Sequence, residues 1–242
     1  MDLGIEGRRA AVAAASQGLG LAAAVALAAE GVQVAICGRD RAKVEAAAAE
    51  HGLVPLVADV GTPDGARRFV TDAHRELGGI DILVPNAGGP PPGRFADVTD
   101  VESYARAFEL SCLSTIAMCV EAVPAMRAQK WGRVVAITSL AARQPIPHLI
   151  LSNTARAGVT GFLKTLAGEV AADGVTVNSL QPGFHGTERV RSMGVDASSI
   201  PAGAIGQPAD FGTIAAFLCS EHARFITGAA IPVDGGASGG LQ

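Results

Sequence analysis

The sequence predicts an α/β fold: a doubly wound parallel sheet with helices on both faces, forming a single domain over residues 1–242. Three observations predict it. Short β-rich apolar runs alternate with helical stretches along the whole chain. The runs are apolar throughout rather than at every second residue, as strands buried on both faces must be. Small or polar residues follow the first four runs, where such a sheet opens its ligand crevice. Right-handed crossovers then wind the sheet in both directions.

The elements follow in order. "AAVAAA" (Ala10–Ala15) is a strand, and a helix runs from Gly20 to Glu30. "VQVAICG" (Val32–Gly38) is the second strand. "DRAKVEAAAAEHG" is a helix with Asp40 as its N-cap and Gly52 as its stop. "LVPLVADV" is the third strand, 63–77 a helix, and "IDILVPNAG" the fourth strand. Segment 89–99, with three consecutive prolines, is a loop. A long helix is expected over 100–127, and its stretch "LSCLSTIAMCVEAVPAM" carries one charge, Glu121. A helix apolar on more than one face must be buried on more than one face. "GRVVAITS" is the fifth strand. "HLILSNTARAGVTGFLKTLAGEV", from His148, places Leu149, Leu151, Ala155, Val159, Phe162, Leu163 and Leu166 at helical spacing. Strand "VTVNSLQPG", a looser segment from His185 to Gly206, helix 208–221 and strand "AAIPVD" complete the order, and the glycine-rich tail "DGGASGGLQ" is expected at the surface.

Composition narrows the function classes. With 49% hydrophobic residues, 17% charged and a mean hydropathy of +0.32, the chain can bury a large core and lacks the signature of disorder. The formal net charge is −4 and no block of like charges stands out, so neither nucleic acid nor a membrane surface is an expected partner. Cys37, Cys112, Cys119 and Cys219 are scattered without a CxxC pair, which suits buried thiols in a reducing compartment rather than a disulfide framework or a metal site. The opening MDLGIEGRRA has no apolar core of a signal peptide, and no apolar run of membrane-spanning length is free of a charge or a Pro/Gly break. The expected location is the cytoplasm.

"AAASQGLG" (Ala13–Gly20) joins the first strand to the first helix. A dinucleotide requires small residues there, because the backbone must approach the pyrophosphate and the helix N-terminus must aim its free N–H groups at it. Ala14, Ser16, Gln17, Gly18, Leu19 and Gly20 are the candidates; an ordinary tight turn would also use these glycines. Arg39 ends the second strand where an adenosine ribose would lie. An arginine there suits a 2′-phosphate, hence NADP(H) over NAD(H), although a solvated helix-start arginine is a common thing. Asp59 and Val60 end the third strand, and Asn86, Ala87 and Gly88 the fourth.

Together these motifs resemble the short-chain dehydrogenase/reductase family over nearly the whole chain, and the resemblance implies a Rossmann-type dinucleotide-binding domain. The family's T-G-x-x-x-G-x-G falls on Ala13 to Gly20, with Gly18 and Gly20 kept and Ala13 and Ala14 in place of the threonine and first glycine. Its N-N-A-G falls on Pro85, Asn86, Ala87 and Gly88, and its P-G-x-x-x-T on Pro182, Gly183 and Thr187. That threonine is implied to hold the nicotinamide carboxamide. "FITGAAIPVDGG" is similar to the family's closing signature.

The resemblance also implies a catalytic serine at the end of the fifth strand, which Ser139 occupies. The family's tyrosine and lysine fall on Ser152 and Arg156, and its asparagine falls on Ser111. Carbonyl reduction by hydride needs a proton for the growing alkoxide. A tuned phenol supplies it well, whereas a serine hydroxyl is a far weaker acid that can still donate a hydrogen bond to an oxyanion. Arg156 keeps a cation that can bond ribose hydroxyls but carries protons poorly. The only tyrosine, Tyr104, is followed four residues later by Phe108, so no shifted Y-x-x-x-K exists. His148 and His185 are further proton candidates, although each also reads as a water-facing loop histidine. His51, His74 and His222 read as surface residues. Residues 184–205 would form the family's substrate lid. Two functions remain in view: an oxidoreductase with a modified acid, or a nucleotide-binding sensor or partner subunit without turnover; a flavin or sugar-nucleotide site has little support. The resemblance and the apolar helices imply a symmetric homo-oligomer, a tetramer.

Overall fold

The structure, a computed structural model, describes residues 1–240 of the chain. Seven strands form one sheet in the order β3-β2-β1-β4-β5-β6-β7. They are β1 Arg9–Val12, β2 Gln33–Gly38, β3 Val54–Val57, β4 Ile82–Val84, β5 Gly132–Ile137, β6 Val175–Pro182 and β7 Ala230–Val233. Every pairing is parallel. The order turns back between β1 and β4, so the crossovers diverge there and leave a crevice above the carboxyl ends of the strands.

The helices are α1 Gly18–Ala29, α2 Arg41–His51, α3 Pro63–Leu77, α4 Val101–Phe108, α5 Ser114–Ala128, α6 Ile150–Val170, α7 Glu188–Ser192 and α8 Pro208–Leu218. Two cores sandwich the sheet, and strand alternation explains both. In β1, Ala11 faces the core shared with α3, α5 and α6, while Ala10 and Val12 face the core shared with α1, α2 and α8. In β5, Val134 and Ala136 face the first core and Val135 and Ile137 the second. Continuous apolarity in these strands is thus a two-sided alternation. The doubly wound parallel sheet expected from the sequence is the fold observed.

Several boundaries are set by local chemistry. Asp40 caps α2 by accepting a hydrogen bond from Lys43 N, and Gly52 ends it at φ 67°, in the left-handed region where glycine is least strained. Thr62 and Asp100 cap α3 and α4 in the same manner. Gly212 is required for packing, because a Cβ there would collide with the Ala22 carbonyl where α8 crosses α1.

Boundaries differ from expectation at several elements. β1 ends at Val12 rather than Ala15, because Ala14 takes φ 46° and turns the chain out of the sheet. The last long helix stops at Leu218, short of 221. The long helix expected over 100–127 is interrupted by a π turn, Glu109–Leu113, between α4 and α5. The whole run Val101–Ala128 is long and apolar enough to cross a membrane, with a mean hydropathy of 1.4 over its best window. In this fold the buried part of that apolar surface packs on α3, α6 and the sheet.

Candidate active site

The crevice is built first from the loop between β1 and α1. Ala14 and Gly18 both lie at positive φ, 46° and 67°. Asn86, at the end of β4, donates through Nδ2 to the carbonyls of Ala13 at 3.2 Å and Ala14 at 3.1 Å, so the fourth strand braces the loop. Gly20 makes this close approach possible: a Cβ there would stand 2.8 Å from both the Ala14 oxygen and Asn86 Nδ2. Ser16 rests on Gly38 at the end of β2. Gln17 is the N-cap residue of α1 yet makes no side-chain cap bond, unlike the caps of α2, α3 and α4. The starts of α6 and α8 are likewise without a side-chain cap; α1 differs in following the glycine loop at the crest, where a pyrophosphate is the anion that a helix start accepts. These residues fit a dinucleotide.

The remaining cofactor candidates surround the loop. Arg39 is exposed at the end of β2, and Gln17 and Leu19 flank Gly18 on the loop. Asp59 is exposed and accepts from Gly61 N at 2.9 Å, while Val60 is buried beneath it. Ala87 and Gly88 continue from Asn86. Pro182 ends β6, and Gly183 N donates to the Val233 carbonyl at 2.9 Å. Thr187 caps α7 by accepting from Val190 N at 3.3 Å, and its methyl lies 3.7 Å from where a Gly18 Cβ would be. The glycine loop and the motif of residues 182–187 thus meet across one crevice. Beyond Thr187, the segment is pinned at its neck, where Gly186 N donates to the Gly206 carbonyl at 2.9 Å and Gly206 N to Phe184 at 3.0 Å.

The hydroxyl and cation candidates sit at the end of β5 and on the helices beside it. Ser139 Oγ accepts from Ala141 N at 3.1 Å and so fixes the turn after the strand. Ser152 and Arg156 project from α6 and are buried, at 8% and 5% exposure. Arg156 Nη1 donates to the Ile137 carbonyl at 3.3 Å, the last residue of β5, while its Nε has no partner. Burial, with the charge of Arg189 added, pushes this guanidinium down to about 10, so it remains charged at neutral pH. Ser111 lies inside the π turn, buried, with its hydroxyl unpartnered. A π turn rotates side chains out of helical register, and such turns recur at functional sites.

The two histidines part company. His148 is exposed, at φ 66°, and its Nδ1 accepts from Arg94 Nε at 2.6 Å. His185 is not the water-facing residue that its loop position suggests. It is buried at 4% exposure, stacks edge-on against Phe211 with centroids 5.2 Å apart, and packs under Gly206. Burial lowers its pKa, which favours the neutral ring. His74 and His222 are exposed as expected, while His51 is half-buried. All four cysteines are buried free thiols. Arg189 lies in the segment expected to form the substrate lid, and the sequence assigns it no role of its own. Its guanidinium lies over Gly89, with Nη1 3.0 Å from where a Cβ on that glycine would be. No local pattern signals this, since the contact joins residues far apart in sequence.

A parallel sheet whose crest carries a braced glycine loop, an uncapped helix start and a hydroxyl-lined cationic floor defines a dinucleotide-dependent enzyme of the doubly wound class. Comparison with known proteins names the family. Residues 13–238 match the family model described as enoyl-(acyl carrier protein) reductase. The human dehydrogenase/reductase SDR family member 4 is 34% identical over 240 residues, covering 94% of this chain and 86% of its own. Acetoacetyl-CoA reductase of Shinella zoogloeoides is 33% identical over 237 residues, covering 95% of this chain and 98% of its own. The crystal structure of L-sorbose reductase from Gluconobacter frateurii, complexed with NADPH and L-sorbose, superposes with a TM-score of 0.92 at 30% identity and full coverage of both chains. The chain belongs to the short-chain dehydrogenase/reductase family. It is an NAD(P)-dependent oxidoreductase.

Proposed function

We propose that this oxidoreductase prefers NADP(H) and reduces a carbonyl or related group without the family's tyrosine and lysine, using Ser152 and Arg156 at those positions. The observation that carries the reading is Arg156, a cation held in a buried position at the carboxyl end of β5 with part of its fork unpaired. A site without a ligand gains nothing from such a charge. The nicotinamide supplies hydride when bound. Ser139 and Ser152 orient the substrate oxygen by hydrogen bonds, Ser111 adds an unpartnered hydroxyl, and Arg156 holds the ribose and stabilises developing negative charge. The proton comes from His148, His185 or water. His185 is the weaker candidate of the two histidines, because burial holds it neutral against Phe211. Loss of a tuned general acid typically costs about 10² to 10⁴ in rate, so ordinary ketones should turn over slowly.

The test is hydride transfer by purified protein against a panel of carbonyls and imines, alongside the Ser152→Tyr/Arg156→Lys double variant. Turnover by the parent that the double change abolishes marks a specialised site. A fast ketone reductase from the double variant, with a parent inert on every substrate, refutes catalysis by the native site. A second reading, cofactor binding without turnover as a sensor or partner subunit, draws support from the one tyrosine, Tyr104, lying half-buried on α4. The same panel decides between them.

Cofactor choice rests on the exposed Arg39, and a preference of roughly 1–2 kcal/mol for the 2′-phosphate is expected from one hydrogen bond to a charged group. Equal calorimetric affinities for NADPH and NADH, or an Arg39→Ala variant that still prefers NADPH, would overturn this. The substrate lid is assigned to residues 184–205 on the pinned neck at Gly206. If proteolytic nicking of that segment is not slowed by cofactor plus substrate, the assignment fails. We place the chain in a homotetramer. A groove of about 630 Å³ on α5 and α6, lined by Val120, Val123, Pro124, Phe162 and Leu166 and also by Arg127, Lys130, Glu169 and Asp173, supports this. A monomeric mass by light scattering at micromolar concentration would refute it. The buried free thiols suit a cytoplasmic location, which recovery of the native protein outside the cytoplasm would contradict.

A further inference from the structure

The segment 184–205 is held to the rest of the molecule at few points. From Glu188 to Ile205 only Ile200 is buried, at 4% exposure. Apart from the neck at Gly183 and Gly206, the segment sends a single hydrogen bond to the rest of the chain among the described residues: Ala202 N donates to the Gly235 carbonyl at 2.9 Å. Both anchors, Ile200 and Ala202, meet the short segment that follows β7, residues 234–240. Gly235 faces them directly: a Cβ there would stand 2.9 Å from Ile200 Cγ2 and 3.1 Å from Ala202 Cβ. Its φ of 64° is also in the left-handed region that favours glycine. A Cβ on Gly236 would stand 3.4 Å from Pro201, between those two anchors.

Asp234 shapes this segment. Its carboxylate accepts from Gly236 N at 2.9 Å and from Ser238 N at 2.8 Å, which curls the chain into a compact turn. Asp234 also sits against the root of the lid, since a Cβ on Gly183 would stand 2.7 Å from Asp234 Cα. At the far end Gly239 N donates to Gln144 Oε1 at 2.9 Å. Gln144 belongs to the turn that Ser139 fixes, and its own N donates to the Leu140 carbonyl at 3.0 Å. Residues 234–240 thus touch the root of the lid, its outer edge at 200–202 and the turn after Ser139. A segment with one buried side chain and one bond away from its hinge opens by losing those contacts alone, and such weakly held elements are the ones that open first.

We propose that residues 234–240 form a strap that latches the lid 184–205 over the crevice and ties it to the turn after Ser139, so that the lid opens by releasing Ile200 and Ala202 from Gly235. The inference rests on the lid reading, and the two fail in different ways. Hydrogen exchange of the full chain is followed by mass spectrometry in peptides covering 188–205, β5 and α6, with and without NADPH. Gly235→Ala puts a methyl into the lid contact, and Ile200→Ala removes the buried side chain of the lid. Each should speed exchange over 188–205 about ten-fold and leave β5 and α6 unchanged. Gln144→Ala should speed the same peptides about three-fold, and Gln144→Glu, which keeps an acceptor for Gly239 N, should restore most of the protection. NADPH release, followed by stopped-flow fluorescence, should be faster in the same three alanine variants. Exchange over 188–205 that is unchanged in all three overturns the proposal. So does faster exchange that extends equally to β5 and α6, which marks a general loss of stability, and so does NADPH release that is unchanged where the lid exchanges faster. Gln144 is exposed, so Gln144→Ala reports even if Gly235→Ala does not fold. A parent whose 188–205 exchange is unaffected by NADPH removes the lid reading, whereas NADPH protection in the parent with no effect of the variants removes the strap alone.

Discussion

Replacing Arg156 by methionine should make the ligand-free protein more stable. Burial, and then repulsion from Arg189, pull the guanidinium down to about 10 on folding. An unpaired charge held in the interior costs folding several kcal/mol, roughly 3 here. Methionine keeps most of the packed stem and loses one long bond to the Ile137 carbonyl, a loss of about 1 kcal/mol. A net gain of about 2 kcal/mol remains, and at about 2–4 °C per kcal/mol for a chain of this size the thermal midpoint should rise by about 4–8 °C. The pH dependence fixes the cause. A cation with a lowered folded pKa destabilises below that pKa, and the penalty fades as pH rises through about 10 toward the unfolded value. The difference between variant and parent should therefore be constant from pH 6 to 8 and shrink above about pH 10. Scanning calorimetry in the absence of ligand measures it. A midpoint that is unchanged or lower in Arg156→Met at neutral pH refutes the claim that this charge is uncompensated.

Two further substitutions probe the scaffold. Ala14→Gly relieves a left-handed alanine at φ 46°, which costs roughly 1–2 kcal/mol, against roughly 0.4–1 kcal/mol of added unfolded-state freedom. A gain of about 0.5–1 kcal/mol in chemical denaturation is expected, and a loss would show that the methyl packs usefully. Asp81→Asn breaks the pair with Arg9, whose Nε and Nη2 donate to the carboxylate at 2.8 and 2.9 Å, and should cost about 3 kcal/mol at pH 7. Burial alone would push the Asp81 carboxyl up, but the bonds and charge of Arg9 outweigh it and hold the group below the usual range. Its contribution is full above the ordinary aspartate value near ~3.9 and disappears as pH falls through the lower folded value. Urea unfolding at pH 7 and pH 3 should show the gap closing, and a gap independent of pH would count against this account.

The sheet was legible because its signals are local. Each βα unit carries its own apolar run and its own cap, so Asp40 and Gly52 could be placed from neighbouring residues alone. The crest was legible for a related reason: strand ends fix where Gly18, Asn86 and Thr187 must lie. What was hidden depends on contacts between distant segments. A π turn adds one residue to a helical register, and nothing in "ELSCL" differs from helix. His185 looked like a loop histidine until α8 supplied Phe211. Asn86 was readable as a site residue, but not as the brace that the Ala13 and Ala14 carbonyls make it. Arg189 gained meaning only when its helix was folded back over Gly89.

The placement of charge along the strands completes the physical picture. At the amino ends of β1, β4 and β5, Arg9 meets Asp81, Gln129 adds a bond to the same carboxylate, and Arg133 is shared among carbonyls, Glu221 and an indole face. Those charges are partnered within the chain, although burial still pulls the Arg133 guanidinium below the usual arginine range. At the carboxyl ends of β4 and β5 the chain leaves Arg156 and Arg189 open and the first turn of α1 uncapped. A protein that can satisfy a buried guanidinium so fully at one edge of its sheet does not lack the means to do so at the other. Unsatisfied groups on the crest are a standing cost to folding, and a ligand that binds only the folded state recovers it. The same asymmetry predicts where cofactor and substrate will stabilise the protein most, at the crest, with the amino ends of the strands insensitive to both.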